Sequence, residues 1–254
     1  MEQHSTKIDE LIRSLKSRHG LKFDELKKLA LKFADYLKTL DGFKIVDPDP
    51  LIQIEHVGRV IVDAVLQVGH DWEKQVRKRV ERIRDYPEAA TLSGFIDLLR
   101  GHGISRLLDW NSQGTEKDLL DVAEFFAKRE IETFSQMREW LKSEDNRDSL
   151  LTDRSGLGGN TSSTFKVADK TADYFRLLVG HCDAVAVDKA IGKLLAKAQI
   201  ISSHSKKYNY KEKRAIVQLA AIELKCRPID LDHSIYVYYL HSASEASSKS
   251  PLVR

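Results

Sequence analysis

Apolar residues recur every three or four positions along most of the chain, which is the spacing of one face of an α-helix. A stripe from Ile8 to Leu15 predicts a first helix, and a second stripe from Leu26 to Leu40 predicts another. No stretch alternates apolar and polar residues as a half-buried strand does, and no internal repeat is visible. The pattern therefore predicts an all-α protein with about ten helices.

The remaining helices are predicted from the same spacing and from residues that start or stop helices. They are expected near residues 52–67, 72–84, 91–99, 104–108, 115–141, 167–179, 189–200, 211–224 and 231–241. The polar stretch Ser143–Thr164 contains SGLGGNTSST and is predicted to be mostly extended loop. Asp188 is predicted to cap the helix that follows it.

Composition and charge narrow the function classes. Of the 254 residues 42% are hydrophobic, which is enough for a core, and the net charge of +3 permits a nucleic-acid partner without requiring one. The two cysteines are too few for a four-cysteine iron–sulfur cluster, and the histidines show no metal-ligand spacing, so no metal or cofactor is expected. The chain has neither the apolar core of a signal peptide nor a membrane-spanning run, which predicts an intracellular protein of the cytoplasm or nucleoid.

Two short motifs carry the strongest chemical signal. Lys170–Ala172 begins a predicted helix, and Val187–Ile191, with Asp188, follows one helix and one loop later. Together they resemble the hairpin and catalytic region of the helix-hairpin-helix base-excision DNA glycosylases, a likeness that extends over roughly residues 55–240. The resemblance implies that Lys170 is the nucleophile and Asp188 the catalytic carboxylate. Their separation is typical of the bifunctional members, which also cleave abasic sites.

The resemblance also implies an architecture of two helical lobes with a cleft for DNA between them. Residues 1–54 are expected to form helices that pack with the C-terminal lobe, and residues 55–180 a helical barrel lobe that ends in a hairpin-like motif. Residues 181–242 are expected to complete the second lobe, and residues 243–254 to form a disordered tail.

The hairpin departs from the family pattern. Relatives carry two glycines just before the lysine-bearing helix, where Lys166, Val167 and Ala168 stand here. Glycines let backbone N–H groups approach a phosphate closely. Either the phosphate contact is remodelled, with Lys166 supplying a charge, or the hairpin has decayed. The same substitutions argue against the monovalent cation that the resemblance implies at the hairpin.

The chemistry explains these residue types. A lysine at a helix N-terminus lies at the positive end of the helix dipole, which favours the neutral amine. A neutral amine can attack C1′ of an extruded nucleotide, expel the base and leave a Schiff base that undergoes β-elimination. The expected partner is double-stranded DNA with a damaged base or abasic site, bound by a monomer. Similarity to the oxoguanine branch, which lacks cluster cysteines, favours an 8-oxoguanine-type base.

Weaker candidates surround this pair. Gln67 lies where relatives probe the gap that an extruded base leaves, although a polar residue at a helix end is common. Lys207 and Tyr208 combine charge and an aromatic ring for DNA contact, or belong to a plain interhelical loop. Asp232 and His233 form a candidate polar pair for the substrate pocket. The basic run from Lys74 to Arg84 either lines phosphates or is a solvated helix face.

Two other functions remain open at this point. The chain is alternatively a non-catalytic DNA-binding module of the same fold with a degenerate hairpin. It is also compatible with a helical scaffold for protein interactions, which predicts no retention on DNA even at low salt.

Overall fold

The computed structural model of the protein describes residues 2–47, 55–152, 167–201 and 208–248. These residues form twelve α-helices and no strand, which confirms the prediction of an all-α fold. In chain order the helices are α1 Glu2–His19, α2 Phe23–Lys38, α3 Val57–Leu66, α4 Arg77–Ile83, α5 Leu92–Leu108, α6 Gln113–Ala127, α7 Phe134–Trp140, α8 Glu144–Thr152, α9 Asp169–Leu178, α10 Lys189–Lys197, α11 Tyr210–Glu223 and α12 Pro228–Ser248. None of these described helices combines the length and apolarity needed to cross a bilayer.

The chain divides into two compact units. Unit 1 combines Met1–Asp49 with Cys182–Arg254, and unit 2 is Pro50–His181. Each unit has its own cluster of buried apolar side chains. A chain that leaves one core and later returns to it brings residues distant in sequence into one unit.

In unit 2, α3 occupies the centre of the core. Every residue from Val57 to Leu66 is buried, and the helix packs against α4, α6 and α9. Eight of its ten residues are apolar or glycine, as expected for a helix enclosed by others. The helix buries two charged residues, Arg59 and Asp63. They form an ion pair in which Arg59 Nη2 lies 3.7 Å from Asp63 Oδ2.

A change of direction divides α5 in unit 2. Gly103 has φ 67° and ψ 161°, a conformation that favours glycine because a side chain there would be strained. The two short helices predicted on either side of this glycine are the two arms of α5. Thr91 caps the N-terminus of the helix, since its Oγ1 accepts a hydrogen bond from the Gly94 N–H at 3.3 Å.

In unit 1, the most extensive packing is between α2 and α11. The buried face of α2 includes Leu26, Phe33 and Leu37, which have no exposed surface. Helix α12 packs against α10 and α11. This arrangement places the segment that leads into α10 beside side chains from both α11 and α12.

The single long helix predicted over residues 115–141 is wrong. The structure has two helices there, α6 and α7, separated by residues 128–133. Glu130 adopts a left-handed backbone conformation, with φ 57°, which ends the first helix region. Thr133 then starts α7 with a capping box. Its Oγ1 accepts a hydrogen bond from the Gln136 N–H, and the Gln136 Oε1 accepts one from the Thr133 N–H.

The extended loop predicted over Ser143–Thr164 is also wrong in its first part, where α8 runs from Glu144 to Thr152. The rest of that stretch lies outside the described residues. At the C-terminal end, α12 continues to Ser248 and so includes residues 243–248 of the predicted disordered tail. Helix α8 and the last turns of α12 are polar in sequence, which is why apolar spacing does not reveal them.

Candidate active site

Lys170 lies in the first turn of α9, the helix predicted to carry it. Ala168 is the N-cap and makes no side-chain hydrogen bond to the helix. The Lys170 side chain is half-buried, and among the described residues nothing accepts a hydrogen bond from its amine or pairs with its charge. A positive charge at this end opposes the helix dipole, so helix stability does not account for a lysine here.

The turn that carries Lys170 is tied to α8 by a buried arginine. Arg147 Nε and Nη2 donate to the carboxylate of Asp173 at 3.1 and 2.9 Å, and Nη2 also donates to the Asp169 carbonyl oxygen at 2.9 Å. Arg147 Nη1 lies 2.8 Å from Asp169 Oδ1 and also pairs with Asp148. Burial alone lowers the pKa of the Arg147 guanidinium, but Asp173, Asp148 and Asp169 outweigh burial and raise it.

A second polar group connects α9 to the central helix. Tyr174 Oη donates a hydrogen bond to Asp63 Oδ1 at 3.1 Å, and Trp72 Nε1 donates to the same oxygen at 3.0 Å. Asp63 is almost fully buried and also pairs with Arg59. These contacts fix the position of α9 relative to α3, because a buried carboxylate needs its partners.

Asp188 is the N-cap of α10, as predicted. Its Oδ1 accepts a hydrogen bond from the Ile191 N–H at 2.9 Å, a contact whose loss costs about 1 kcal/mol in comparable helices. The side chain is half-buried. Within the described residues Oδ2 accepts no hydrogen bond, so one carboxylate oxygen stabilises the helix while the other is available to a ligand.

Three side chains from α11 and α12 hold the backbone that leads to Asp188. Gln218 Nε2 donates to the Asp183 carbonyl oxygen at 2.7 Å. The Ala186 N–H donates to Asp232 Oδ1 at 2.9 Å, and the Val187 N–H donates to Tyr210 Oη at 3.1 Å. The segment before Asp188 is therefore a braced loop rather than a loose connection.

This bracing gives Asp232 a defined place. The structure brings it together with the Asp188 loop in unit 1, and its carboxylate serves the Ala186 backbone. His233, the residue predicted beside it, is half-buried in the same turn of α12. Their part in a substrate pocket stays a prediction.

Lysines follow Asp188 along the exposed side of α10. Lys189, Lys193 and Lys197 are spaced four residues apart and are all exposed, so they share one helix face. Lys193 Nζ donates to Tyr239 Oη at 2.7 Å, and this hydrogen bond lowers the pKa of the Tyr239 hydroxyl. These lysines were not predicted as a surface, although their four-residue spacing is visible in the sequence.

The weaker candidates have ordinary structural positions. Gln67 is the half-buried C-cap residue of α3, which fits the interpretation of a polar residue at a helix end. Tyr208 is only 7% exposed, and its hydroxyl donates to Glu25 Oε1 at 2.7 Å. A ring packed in this way does not present a face for base stacking, which favours the interhelical-loop alternative. Lys166 and Lys207 lie outside the described residues.

Part of the basic run before and within α4 serves the fold. Arg79 Nη2 donates to the Asp109 carbonyl oxygen at 3.0 Å, and Arg82 Nη2 donates to that of Arg106 at 2.8 Å. Both carbonyls lie at the C-terminal end of α5, where cations are favourable. Arg77 pairs with Glu73 and Glu81. These three arginines are thus occupied within the protein.

The described residues contain no group of three or more His, Cys, Asp or Glu side chains close enough to share a metal ion. Cys182 and Cys226 are half-buried free thiols. Burial raises the pKa of the Cys226 thiol to about 11, so its nucleophilic thiolate is scarce at neutral pH. Of the three altered hairpin positions, Val167 and Ala168 are described and Lys166 lies outside the described residues.

Comparisons with known proteins give two findings. A family profile described as "Domain of unknown function (DUF8548)" matches residues 47–239. Among solved structures, the crystal structure of the Methanocaldococcus jannaschii 8-oxoguanine DNA glycosylase is similar, with a TM-score of 0.49 and 17% identity over 95% of this chain and 96% of that chain. No curated protein sequence matches significantly. At this level of likeness, function must be inferred from the chain's own residues.

Proposed function

We propose that this chain, which belongs to the DUF8548 family of unknown function, is a DNA glycosylase that also cleaves abasic sites. The observation that carries the proposal is the position of Lys170. This lysine is half-buried and lies in the first turn of α9. No described residue engages its amine. Its surroundings are fixed by buried ion pairs, as the support of a functional group requires.

The proposed reaction begins when the neutral Lys170 amine attacks C1′ of a nucleotide extruded from the duplex. The bond between C1′ and the base nitrogen breaks, the base leaves with a proton, and the amine loses its own. Opening of the sugar gives a Schiff base between Nζ and C1′. Loss of a C2′ proton then expels the 3′ phosphate and cuts the strand, and hydrolysis of the Schiff base restores the lysine.

Asp188 is the proposed carboxylate of this reaction. Its Oδ2, which no described residue uses, would stabilise positive charge on the sugar as the base departs and would accept or return protons. The bracing of the preceding loop by Gln218, Tyr210 and Asp232 supports this role. A charged group acts effectively on a transition state when its orientation is fixed beforehand.

The proposed partner is double-stranded DNA that contains a damaged base, bound by a monomer. An oxidised purine of the 8-oxoguanine type is the first base to test, because of the resemblance to the oxoguanine branch described above.

The test is borohydride trapping on a duplex with one abasic site, because reduction converts a Schiff base into a stable covalent adduct. The wild-type protein should form the adduct, Lys170→Gln should form none, and Asp188→Asn should form it more slowly. Lys142→Gln is the matched control, because Lys142 is an exposed lysine of unit 2 that pairs only at the surface with Glu139. A wild-type protein that binds this DNA without forming an adduct would overturn the lyase assignment.

The non-catalytic DNA-binding module is the second candidate. It is favoured by the substitution of the hairpin glycines and by Ala168, which caps α9 without a side-chain hydrogen bond. This candidate predicts salt-sensitive binding and no strand cleavage at any lesion. A panel of lesion-bearing duplexes, scored for both retention and cleavage, separates it from the glycosylase and from a helical scaffold.

A further inference from the structure

Two aspartates lie close to Lys170 in the sequence. Asp169 is its neighbour in the chain, and Asp173 lies three residues later on the same helix. An acid and a lysine spaced three residues apart on a helix commonly pair. Such a pair would stabilise the ammonium form, which is not a nucleophile.

In the structure both carboxylates are held by Arg147 instead. The Asp173 carboxylate receives two hydrogen bonds from this guanidinium, and the side chains of Arg147 and Asp173 have no exposed surface. Asp169 is bound through both its carbonyl oxygen and its carboxylate. A planar guanidinium presents five donors in a fixed fork, which suits it to hold several acceptors at once.

Most of the other described charged groups on the helices packed against α9 have partners of their own. On α8, Glu144 pairs with Arg176 and Asp148 with Arg147, while Asp145 is exposed in the first turn. On α3, Asp63 is held by Arg59, Trp72 and Tyr174, and His56 caps the helix.

Helix α6 also reaches α9, through the contact between Phe126 and Phe175. Two of its four acids are engaged elsewhere, whereas the buried Asp118 Oδ1 and Asp121 Oδ2 have no hydrogen-bond partner among the described residues. Glu116 accepts the Ile104 N–H and Glu124 pairs with Arg100, while Asp118 lies in the electrostatic influence of Asp121 and Lys117.

We propose that Arg147 is a positioning residue that withholds the carboxylates of Asp169 and Asp173 from the Lys170 amine and so keeps that amine available as the nucleophile. This inference rests on the proposed function for its catalytic meaning. The hydrogen bonds and ion pairs of Arg147 with Asp169 and Asp173 do not depend on that function.

The test compares the pH profile of covalent trapping on abasic DNA for the wild type, Arg147→Met and the double variant Arg147→Met with Asp173→Asn. Trapping rises with pH as the amine loses its proton. Release of the carboxylates should move the midpoint of this rise upward by about 1 pH unit in Arg147→Met. The double variant should return towards the wild-type midpoint, because one of the released charges is gone.

Loss of a buried arginine that serves buried carboxylates destabilises a fold strongly. The effect of losing Arg147 is therefore also measured in a second background, by comparing Asp173→Asn with the double variant. The double variant exchanges both members of the buried ion pair for neutral side chains. Loss of Arg147 there releases Asp169 and should again raise the midpoint. A lower trapping rate with an unchanged midpoint in both backgrounds would show that Arg147 is merely structural and would overturn the proposal.

A second measurement does not depend on catalysis. The Cε resonance of Lys170, assigned by its absence in Lys170→Gln, is titrated by NMR in the same variants without DNA. Its midpoint should rise on loss of Arg147. If the wild type forms no adduct but the resonance shifts as expected, the proposed reaction fails while the role of Arg147 stands. If trapping succeeds but the resonance does not shift, the role of Arg147 fails alone.

Discussion

The carboxylate of Asp232 accepts a hydrogen bond from the Ala186 N–H at 2.9 Å and so joins α12 to the loop that ends at Asp188. The donor and acceptor lie 46 residues apart in the chain. Because the acceptor is a carboxylate, this bond is of the stronger, charge-assisted kind. It makes the position of Asp188 depend on a helix that begins forty residues later.

Asp232→Ala should therefore destabilise the protein by about 2 kcal/mol, since the Ala186 N–H loses a charged acceptor. Asp232→Asn should lose less, because an amide oxygen can still accept this hydrogen bond. Free energies of unfolding from urea denaturation check both values. Asp35→Ala, which removes an exposed carboxylate paired with Lys38, is the control and should change stability by less than about 0.5 kcal/mol. Equal effects of the Asp232→Ala and Asp35→Ala substitutions would contradict the bracing role.

Tyr208→Phe should lower stability by about 1 kcal/mol, because it removes the hydrogen bond to Glu25 from a buried position. The affinity for duplex DNA should stay unchanged, since the ring remains packed in the core of unit 1. Thermal unfolding and a DNA titration on the same preparation separate the two effects. Weaker DNA binding at unchanged stability would instead restore the prediction that Tyr208 contacts DNA.

Most of the helices were predictable because apolar spacing records which face of each helix is buried. The break between α6 and α7 was not, because the apolar spacing continues from Leu119 through Ile131 and Phe134 across it. The residue that ends the first helical region is Glu130, whereas glycine is the usual signal for a left-handed conformation. Helix α8 was missed because its most buried residue is an arginine, which a scan for apolar positions counts as exposed.

In the candidate site too, residues marked by a local motif were predictable and residues that act through distant contacts were not. Lys170 and Asp188 are identified by local motifs, and the cap formed by Asp188 depends only on the next three residues. Arg147, Tyr210 and Gln218 act on residues 22 to 35 positions away, and nothing local marks them. Their partners become known only when the fold brings the helices together.

Stability should respond to pH through Asp118 on α6. Burial and the neighbouring Asp121 raise the pKa of the Asp118 carboxyl above its ordinary value. The folded protein therefore binds this proton more tightly than the unfolded chain, and stability falls as the pH rises from the ordinary value through the raised one. Above the raised pKa the buried charge lowers the free energy of unfolding by an amount that no longer changes with pH.

Asp118→Asn should accordingly raise the melting temperature at pH 7, and the gain should shrink towards pH 4 as the wild-type carboxyl takes up its proton on passing through its raised pKa. Asp97→Asn makes the same change of charge at an exposed position of α5 and should show neither the gain nor its pH dependence. Melting curves of both variants at the two pH values provide the check. A gain of equal size at pH 4 and pH 7 would contradict titration of Asp118 as its cause.

Lys189, Lys193 and Lys197 should contact the phosphates of bound DNA if Asp188 acts on a nucleotide. They follow Asp188 directly and extend about 12 Å along one exposed face of α10. Within the described residues none of them pairs with a carboxylate, and Lys193 is oriented by Tyr239.

Exchange of all three lysines for glutamine should weaken binding to any duplex and make the dependence of log affinity on log salt less steep by about 2 to 3. A triple variant at Lys16, Lys27 and Lys28, exposed lysines on α1 and α2, removes the same charge and should leave that slope nearly unchanged. If both triple variants change the slope equally, net charge rather than this face of α10 governs the binding, because only a specific contact distinguishes two proteins of equal charge.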